Sequence, residues 1–135
     1  MKANRFHLAL EAGKLEETLP FYTDILGCEL GPNERDEQGI LWQDVDFFGN
    51  ELTFHRGDLR LNRQRHEVDM GKVCVPHFGV WLSTEEYETV KQSVKEKWQF
   101  FDEEYIRFEN QPTEQRTFFV EDYAKWVLEI KTKKE

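Results

Sequence analysis

Phe6-His7-Leu8-Ala9-Leu10 puts Phe6, Leu8 and Leu10 on one side of an extended chain, and His7 and Ala9 on the other. That alternation marks a strand with one buried face. Pro76-His77-Phe78-Gly79-Val80, inside a second apolar stretch from Val73 to Leu82, sets another histidine 70 residues later. The segments beyond the two histidines are also alike. After the first, Leu15, Leu19, Tyr22 and Leu26 recur at helical spacing and Gly27 supplies a stop. Pro20 lies inside that pattern, so the helix either kinks there or begins near it. After the second, Ser83 and Glu86 form a capping box, and Tyr87, Val90, Val94 and Trp98 share one helical face.

Three short strands come after each helix. They are expected at 28–31, 40–47 and 51–55 in the first half, and at 104–108, 115–120 and 125–131 in the second. Gly31-Pro32-Asn33 and Gly49-Asn50 read as turns, and Lys131–Glu135 as a lysine-rich tail. The pattern is an internal duplication: two βαβββ modules, about 1–56 and about 73–135, joined by a connector over about 57–72 that contains Arg60, Arg63 and Arg65. A connector of that length points to a lid or a junction between modules. Neither module alone buries a sheet face well, so the expectation is one α+β domain over 1–135.

Composition narrows the function classes. The chain has 135 residues, 39% hydrophobic and 14% aromatic, too rich in core formers for disorder. A net charge of −9 disfavours phosphate backbones, so nucleic acid is not an expected partner, and an acidic, aromatic-rich chain suits a planar cation. No stretch reaches the roughly 20 apolar residues of a membrane span, and Met1–His7 lacks the apolar run of a signal peptide. Cys28 and Cys74 have no CxxC spacing and read as reduced thiols, which suggests a cytoplasmic protein.

The chemistry resides in His7, His77 and Glu129. In Trp126-Val127-Leu128-Glu129-Ile130 the apolar residues share one face and Glu129 points to the other, where a carboxylate needs a partner. Two histidines and a carboxylate form the 2-His-1-carboxylate set that holds a divalent metal with open positions. Fe, Mn, Ni and Zn all suit it. A fourth position falls on the last strand of the first module, where Glu51, Thr53 and His55 share a face. His7–His55 is 48 residues and His77–Glu129 is 52, against 44 for His7–Glu51, so spacing favours His55 and keeps Glu51 as the alternative. His66 reads as a solvated connector residue. Tyr22, Trp81, Gln115, Arg116 and Phe119 are the substrate-facing candidates, with Arg116 a clamp for an anionic group.

These stretches, with Pro20-Phe21-Tyr22-Thr23-Asp24-Ile25-Leu26-Gly27, Thr117-Phe118-Phe119-Val120-Glu121-Asp122 and Leu128-Glu129-Ile130, resemble the vicinal oxygen chelate superfamily. That superfamily includes glyoxalase I, extradiol dioxygenases, fosfomycin-resistance enzymes and bleomycin-resistance proteins. The resemblance spans nearly the whole chain. It implies a cupped, incompletely closed mixed sheet, a divalent metal and often a homodimer. It also implies catalytic roles for Glu129 and, where the glyoxalase I stretch E-L-T is matched by Glu51-Leu52-Thr53, for Glu51. It leaves two functions open: a metal-dependent enzyme on a small bidentate oxygen-bearing or aromatic substrate, or a non-catalytic drug binder. One departure is Asp122-Tyr123-Ala124-Lys125-Trp126, which enters the last strand without the superfamily's usual proline and glycine.

Overall fold

The computed structural model describes residues 1–58, 65–71 and 73–134. Arg60 and Arg63 of the expected connector lie outside them. The chain divides into two compact units, Met1–Gln64 with Tyr123–Lys125, and Arg65–Asp122 with Trp126–Glu135. Among the described residues no helix is long and apolar enough to cross a membrane.

In the first unit β1 (His7–Glu11), β2 (Glu29–Asp36), β3 (Gly39–Phe47) and β4 (Asn50–His55) form one sheet in the order β1-β4-β3-β2. β1 and β4 run parallel and the other pairs antiparallel. Leu52, Phe54, Val45 and Phe47 turn to one face, where α1 (Leu15–Pro20) and the turn after it bring Leu15, Leu19, Phe21, Tyr22 and Ile25. Pro20 ends α1 because it has no N–H for the ladder. The next residues, Phe21–Ile25, widen into a π-helical turn in which the Leu26 N–H donates to the Phe21 carbonyl at 3.2 Å.

β2 corrects the expected turn at Gly31-Pro32-Asn33. The strand continues through it to Asp36, with a bulge between Leu30 and Asn33. β2 is an edge strand, so Pro32 removes no inner ladder bond. Buried Gln43 fills the irregularity: its Nε2 donates to the Gly31 carbonyl at 2.8 Å, and its Oε1 accepts from Asn33 at 2.9 Å. The β3–β4 hairpin closes on Phe48 and Gly49, both at positive φ (52° and 89°), which is the twist that a two-residue hairpin loop needs. Cys28 is a buried free thiol, pushed up to about 12 by desolvation and the nearby Asp46 charge.

The second unit repeats the plan. β7 (Phe78–Trp81), β8 (Asp102–Arg107), β9 (Gln115–Glu121) and β10 (Val127–Lys133) form a sheet in the order β7-β10-β9-β8, again with only the first pair parallel. α2 (Thr84–Lys97) starts at Ser83, whose Oγ accepts the Glu86 N–H at 3.2 Å, a cap worth about 1 kcal/mol. Tyr87, Val90 and Val94 pack under it on Phe118, Val120, Leu128 and Ile130, all buried.

Two further expectations are corrected. The stretch Val73–Leu82, expected as one strand, is broken: β6 (Val73–Val75) pairs antiparallel with β5 (His66–Val68), the Val75–Pro76 bond is cis, and His77 lies before β7 rather than within a strand, while His66 is exposed, as a solvated residue should be. The lysine tail is mostly strand, since Lys131–Lys133 pair with Thr117–Gln115. The turn without proline or glycine is closed by Asp122. Its N–H donates to the Trp126 carbonyl at 2.9 Å and its Oδ1 accepts the Trp126 N–H at 2.8 Å, while Lys125 takes φ 75°.

Across the first unit, Arg56 grips Asp36 through two hydrogen bonds of 2.8 and 2.6 Å. The Arg56 guanidinium holds the Asp36 carboxyl down at about 2. A depressed carboxyl stabilises the fold fully above the ordinary range near 4, and the contribution is lost as pH falls from there through about 2. Arg56→Met is therefore expected to flatten this part of the acid limb, read as denaturant midpoints between about pH 5 and pH 2.

Candidate functional site

Each sheet has one face packed by the helix of its own unit and a second face, the open face, that no helix of that unit covers, and the predicted ligands lie on these second faces. In the first unit the parallel register opposes His7 to Glu51 and Glu11 to His55. His7 Nδ1 is 2.8 Å from Glu51 Oε1, and Glu51 Oε2 accepts from the Arg5 guanidinium at 2.9 Å. Glu51, not His55, is therefore the neighbour of His7. Spacing favoured His55 because it ignores register: β1 is parallel to β4, so its first residue meets the start of β4 rather than the end. His55 is exposed, with its Cα opposite Glu11 on one side and Trp42 on the other. A carboxylate only accepts, so the His7 proton sits on Nδ1 and the lone pair of the neutral ring is on Nε2.

In the second unit His77 Nδ1 faces the Cys74 carbonyl at 2.8 Å. A carbonyl also only accepts, so His77 again carries its proton on Nδ1 and offers Nε2. Nε2 lies 3.3 Å from Glu129 Oε1. Glu129 is 7% exposed, and its second oxygen accepts the Thr117 hydroxyl at 2.7 Å. The Phe119 edge packs on the His77 ring at 5.2 Å between centroids. A neutral Nε2 lone pair beside a carboxylate is repulsive, and a proton or a metal ion between them relieves it. Two donors held by one first-row ion at about 2.1 Å each stand about 3 Å apart, so the Nε2–Oε1 separation suits joint ligation. Histidine nitrogen and carboxylate oxygen are also the donor types such an ion takes. Within each unit the arrangement is a pair; among the described residues no group of three or more His, Cys, Asp or Glu converges.

Gly79 sets this pair. It is the Cα partner of Glu129, and a Cβ built on it would overlap the Glu129 carbonyl oxygen. β7 can approach β10 only because residue 79 has no side chain.

The remaining candidates divide by face. Gln115 and Phe119 share the open face with Glu129 and Thr117, opposite Lys133 and Glu129 on β10. Trp81 lies there too, opposite Lys131. Tyr22 does not: it is fully buried against Phe54 at 4.8 Å and is a core residue of the first unit. Arg116 points to the helix side, where it bonds Glu88 at 2.7 Å and lies 3.6 Å from Glu104, beside Lys91 and the Tyr87 hydroxyl. Alternation along β9 gives the reason: Arg116, Phe118 and Val120 take one face, and Gln115, Thr117 and Phe119 the other. Sequence reasoning missed Thr117 and Lys131, although both follow from the same period of two counted from Glu129. It also missed Tyr105, opposite Thr117, which lines a groove of about 680 Å³ along β8 with Asp102 and Arg107.

The chain is 31% identical to a glyoxalase/bleomycin resistance protein/dioxygenase from Alicyclobacillus acidocaldarius, with 97% of this chain and 92% of that one covered and a TM-score of 0.74. The chain belongs to that family, within the vicinal oxygen chelate superfamily. The fold is shared at lower identity by the fosfomycin resistance protein FosX from Listeria monocytogenes (14% identity, 99% and 96% covered, TM-score 0.68) and by TioX from Micromonospora sp. ML1 (13%, 98% and 100%, 0.61). One FosX structure is a complex with Mn(II). No protein-family model matches the chain, and no curated protein matches it in sequence.

Gly79→Ala tests the packing of β7 on β10. It is expected to cost about 1–3 kcal/mol, the usual range for overpacking, and to shift the His77 ring resonances in NMR spectra. An equally stable variant with an unmoved His77 would contradict the account.

Proposed function

We propose that the protein is a divalent-metal-dependent enzyme that acts on a small substrate bearing two neighbouring oxygens or an aromatic ring. The observation that carries this reading is the His77–Glu129 pair: a nearly buried carboxylate, a fixed tautomer and two donors 3.3 Å apart. The metal would be held by Nε2 of His77 and by the Glu129 carboxylate. Glu51 then acts as a positioning residue, since one of its oxygens is engaged by His7 and the other by Arg5. When bound, such an ion supplies a Lewis acid for substrate oxygens.

The chain's own contribution is orientation. The Cys74 carbonyl fixes the His77 tautomer, Thr117 holds one Glu129 oxygen so that the other faces His77, and Phe119 stops the imidazole from tilting. Gln115 on the same face offers an amide for a substrate oxygen. A proton-shuttling role for Glu51, as in a glyoxalase-like reaction, would require it to leave Arg5. The family resemblance extends the proposal to a homodimer, and the two free thiols suit a cytoplasmic setting.

A second reading, a non-catalytic small-molecule binder, draws on the same face, because Thr117 already donates to Glu129 without a metal. Calorimetric titration of chelator-treated protein with Mn(II), Ni(II) and Zn(II) separates the two. One equivalent is expected to bind, with affinity reduced at least about tenfold in His77→Ala and in Glu129→Gln. Thr117→Val should weaken it by a smaller factor through loss of the hydroxyl on Glu129. A wild-type protein that takes up none of these ions supports the binder.

A further inference from the structure

We propose that the open face of the second unit carries a subsite for an anionic group, formed by Lys131 and Lys133 across the ring of Trp81. The proposal rests on the reading of His77 and Glu129 as the reactive end of the same face and names the class of molecule that would occupy it: a small carboxylate or phosphate-like oxyanion with an apolar or aromatic body.

β10 alternates, so Glu129, Lys131 and Lys133 project to one side, and Trp81 is the Cα partner of Lys131 across the parallel pair. Nζ of Lys131 lies 4.4 Å from the Trp81 ring centroid and Nζ of Lys133 lies 5.6 Å from it. Surface lysines ordinarily extend their heads into water. Lys131 instead has a side chain only 21% exposed and is laid against the indole.

An ammonium has three protons to donate. Among the described residues the acidic atom nearest to Lys131 is Glu129 Oε1 at 3.8 Å, too far for a hydrogen bond. That oxygen is also the one facing His77, and its twin is taken by Thr117. Two ammonium groups over one ring repel each other, and the aromatic face offsets only part of that. An oxyanion would remove the repulsion and use the spare donors.

The rest of the face fits such a guest. Trp81 is 47% exposed and gives its body a flat apolar surface. Gln115, opposite Lys133, adds an amide N–H donor. The net charge of −9 suggests a cationic guest when spread over the whole chain. Charges beyond about 8 Å are largely screened in physiological salt, so at this face the two lysines set against the single Glu129 carboxylate leave a positive balance. Arg116, the clamp expected from sequence, is held behind the sheet by Glu88 and Glu104, and Lys131 takes its place on the open side.

The test uses chelator-treated protein, so that a metal cannot bind the probe. Phenyl phosphate, benzoate and benzylamine are titrated at constant ionic strength, and the Trp81 indole and the β10 amides are followed by NMR. Both anions are expected to give saturable shifts at these positions and benzylamine none. The double variant Lys131→Gln, Lys133→Gln should weaken anion binding about tenfold. Lys133→Gln alone, at an exposed position that folding does not depend on, should weaken it less. Saturable benzylamine binding at this face, or anion affinity unchanged in the folded double variant, overturns the proposal. Mn(II) uptake is measured separately on both proteins. Its absence in the wild type would remove the metal reading and leave the anion titration to decide this one.

Discussion

Much of the second unit depends on one close approach, between the backbone of Gly79 and the carbonyl of Glu129. A parallel pair at the side of a mixed sheet needs no glycine in general. Here it does, because the two strands meet without room for a Cβ. That contact decides where β10 lies against β7, and β10 carries the carboxylate. His77 stands immediately before β7, so the same packing brings its ring to Glu129. The Cys74 carbonyl then fixes the remaining rotation, since only one imidazole nitrogen can face it with a proton. Backbone geometry thus determines both which atoms meet and which nitrogen is offered.

The repeated topology gives the first unit the same opportunity, and it is used differently. His7 also meets a glutamate across the parallel pair, but through Nδ1 and in a more open setting: its side chain is 57% exposed, against 21% for His77. A side-chain carboxylate, itself held by Arg5, does for His7 what a backbone carbonyl does for His77. Both arrangements leave Nε2 as the basic nitrogen. A duplicated βαβββ plan therefore keeps the presentation of the imidazole while changing the group that enforces it.

Much of this was legible from the chain alone. The duplicated order of elements, the capped α2 and the place of His7 in β1 follow from periods of 2 and 3.6 and from Ser83–Glu86, which are local signals, whereas the break that puts His77 just ahead of β7 does not show in the alternation. The buried carboxylate at 129 was legible for the same reason: a charge amid apolar neighbours on a strand has few alternatives. What was not legible depends on register or on facing. Choosing between Glu51 and His55 requires knowing which residue of β4 lies beside His7. Residue counts along the chain do not give it, because the intervening loops and the bulge in β2 absorb an unknown number of positions. Tyr22 has the composition of a pocket residue and the position of a core one. Arg116 looked like a free cation because Glu88 and Glu104, its partners, are remote in sequence.

The alternation along β9 and β10 also governs how charge is used. On the helix side, Arg116 and Lys91 are matched by Glu88 and Glu104, and this network holds α2 to the sheet. On the open side, Lys131 and Lys133 share an aromatic ring, and Lys131 has one distant carboxylate. Matched charges on the covered face cost little, since each desolvated group has its partner. Incompletely matched charges on the open face are tolerable only where water or a ligand can complete them. A shift of one residue in β10 would exchange the two sets, placing lysines under α2 and a leucine in the site. The register that Gly79 permits is thus also what separates the charges that hold the fold from those left over for binding.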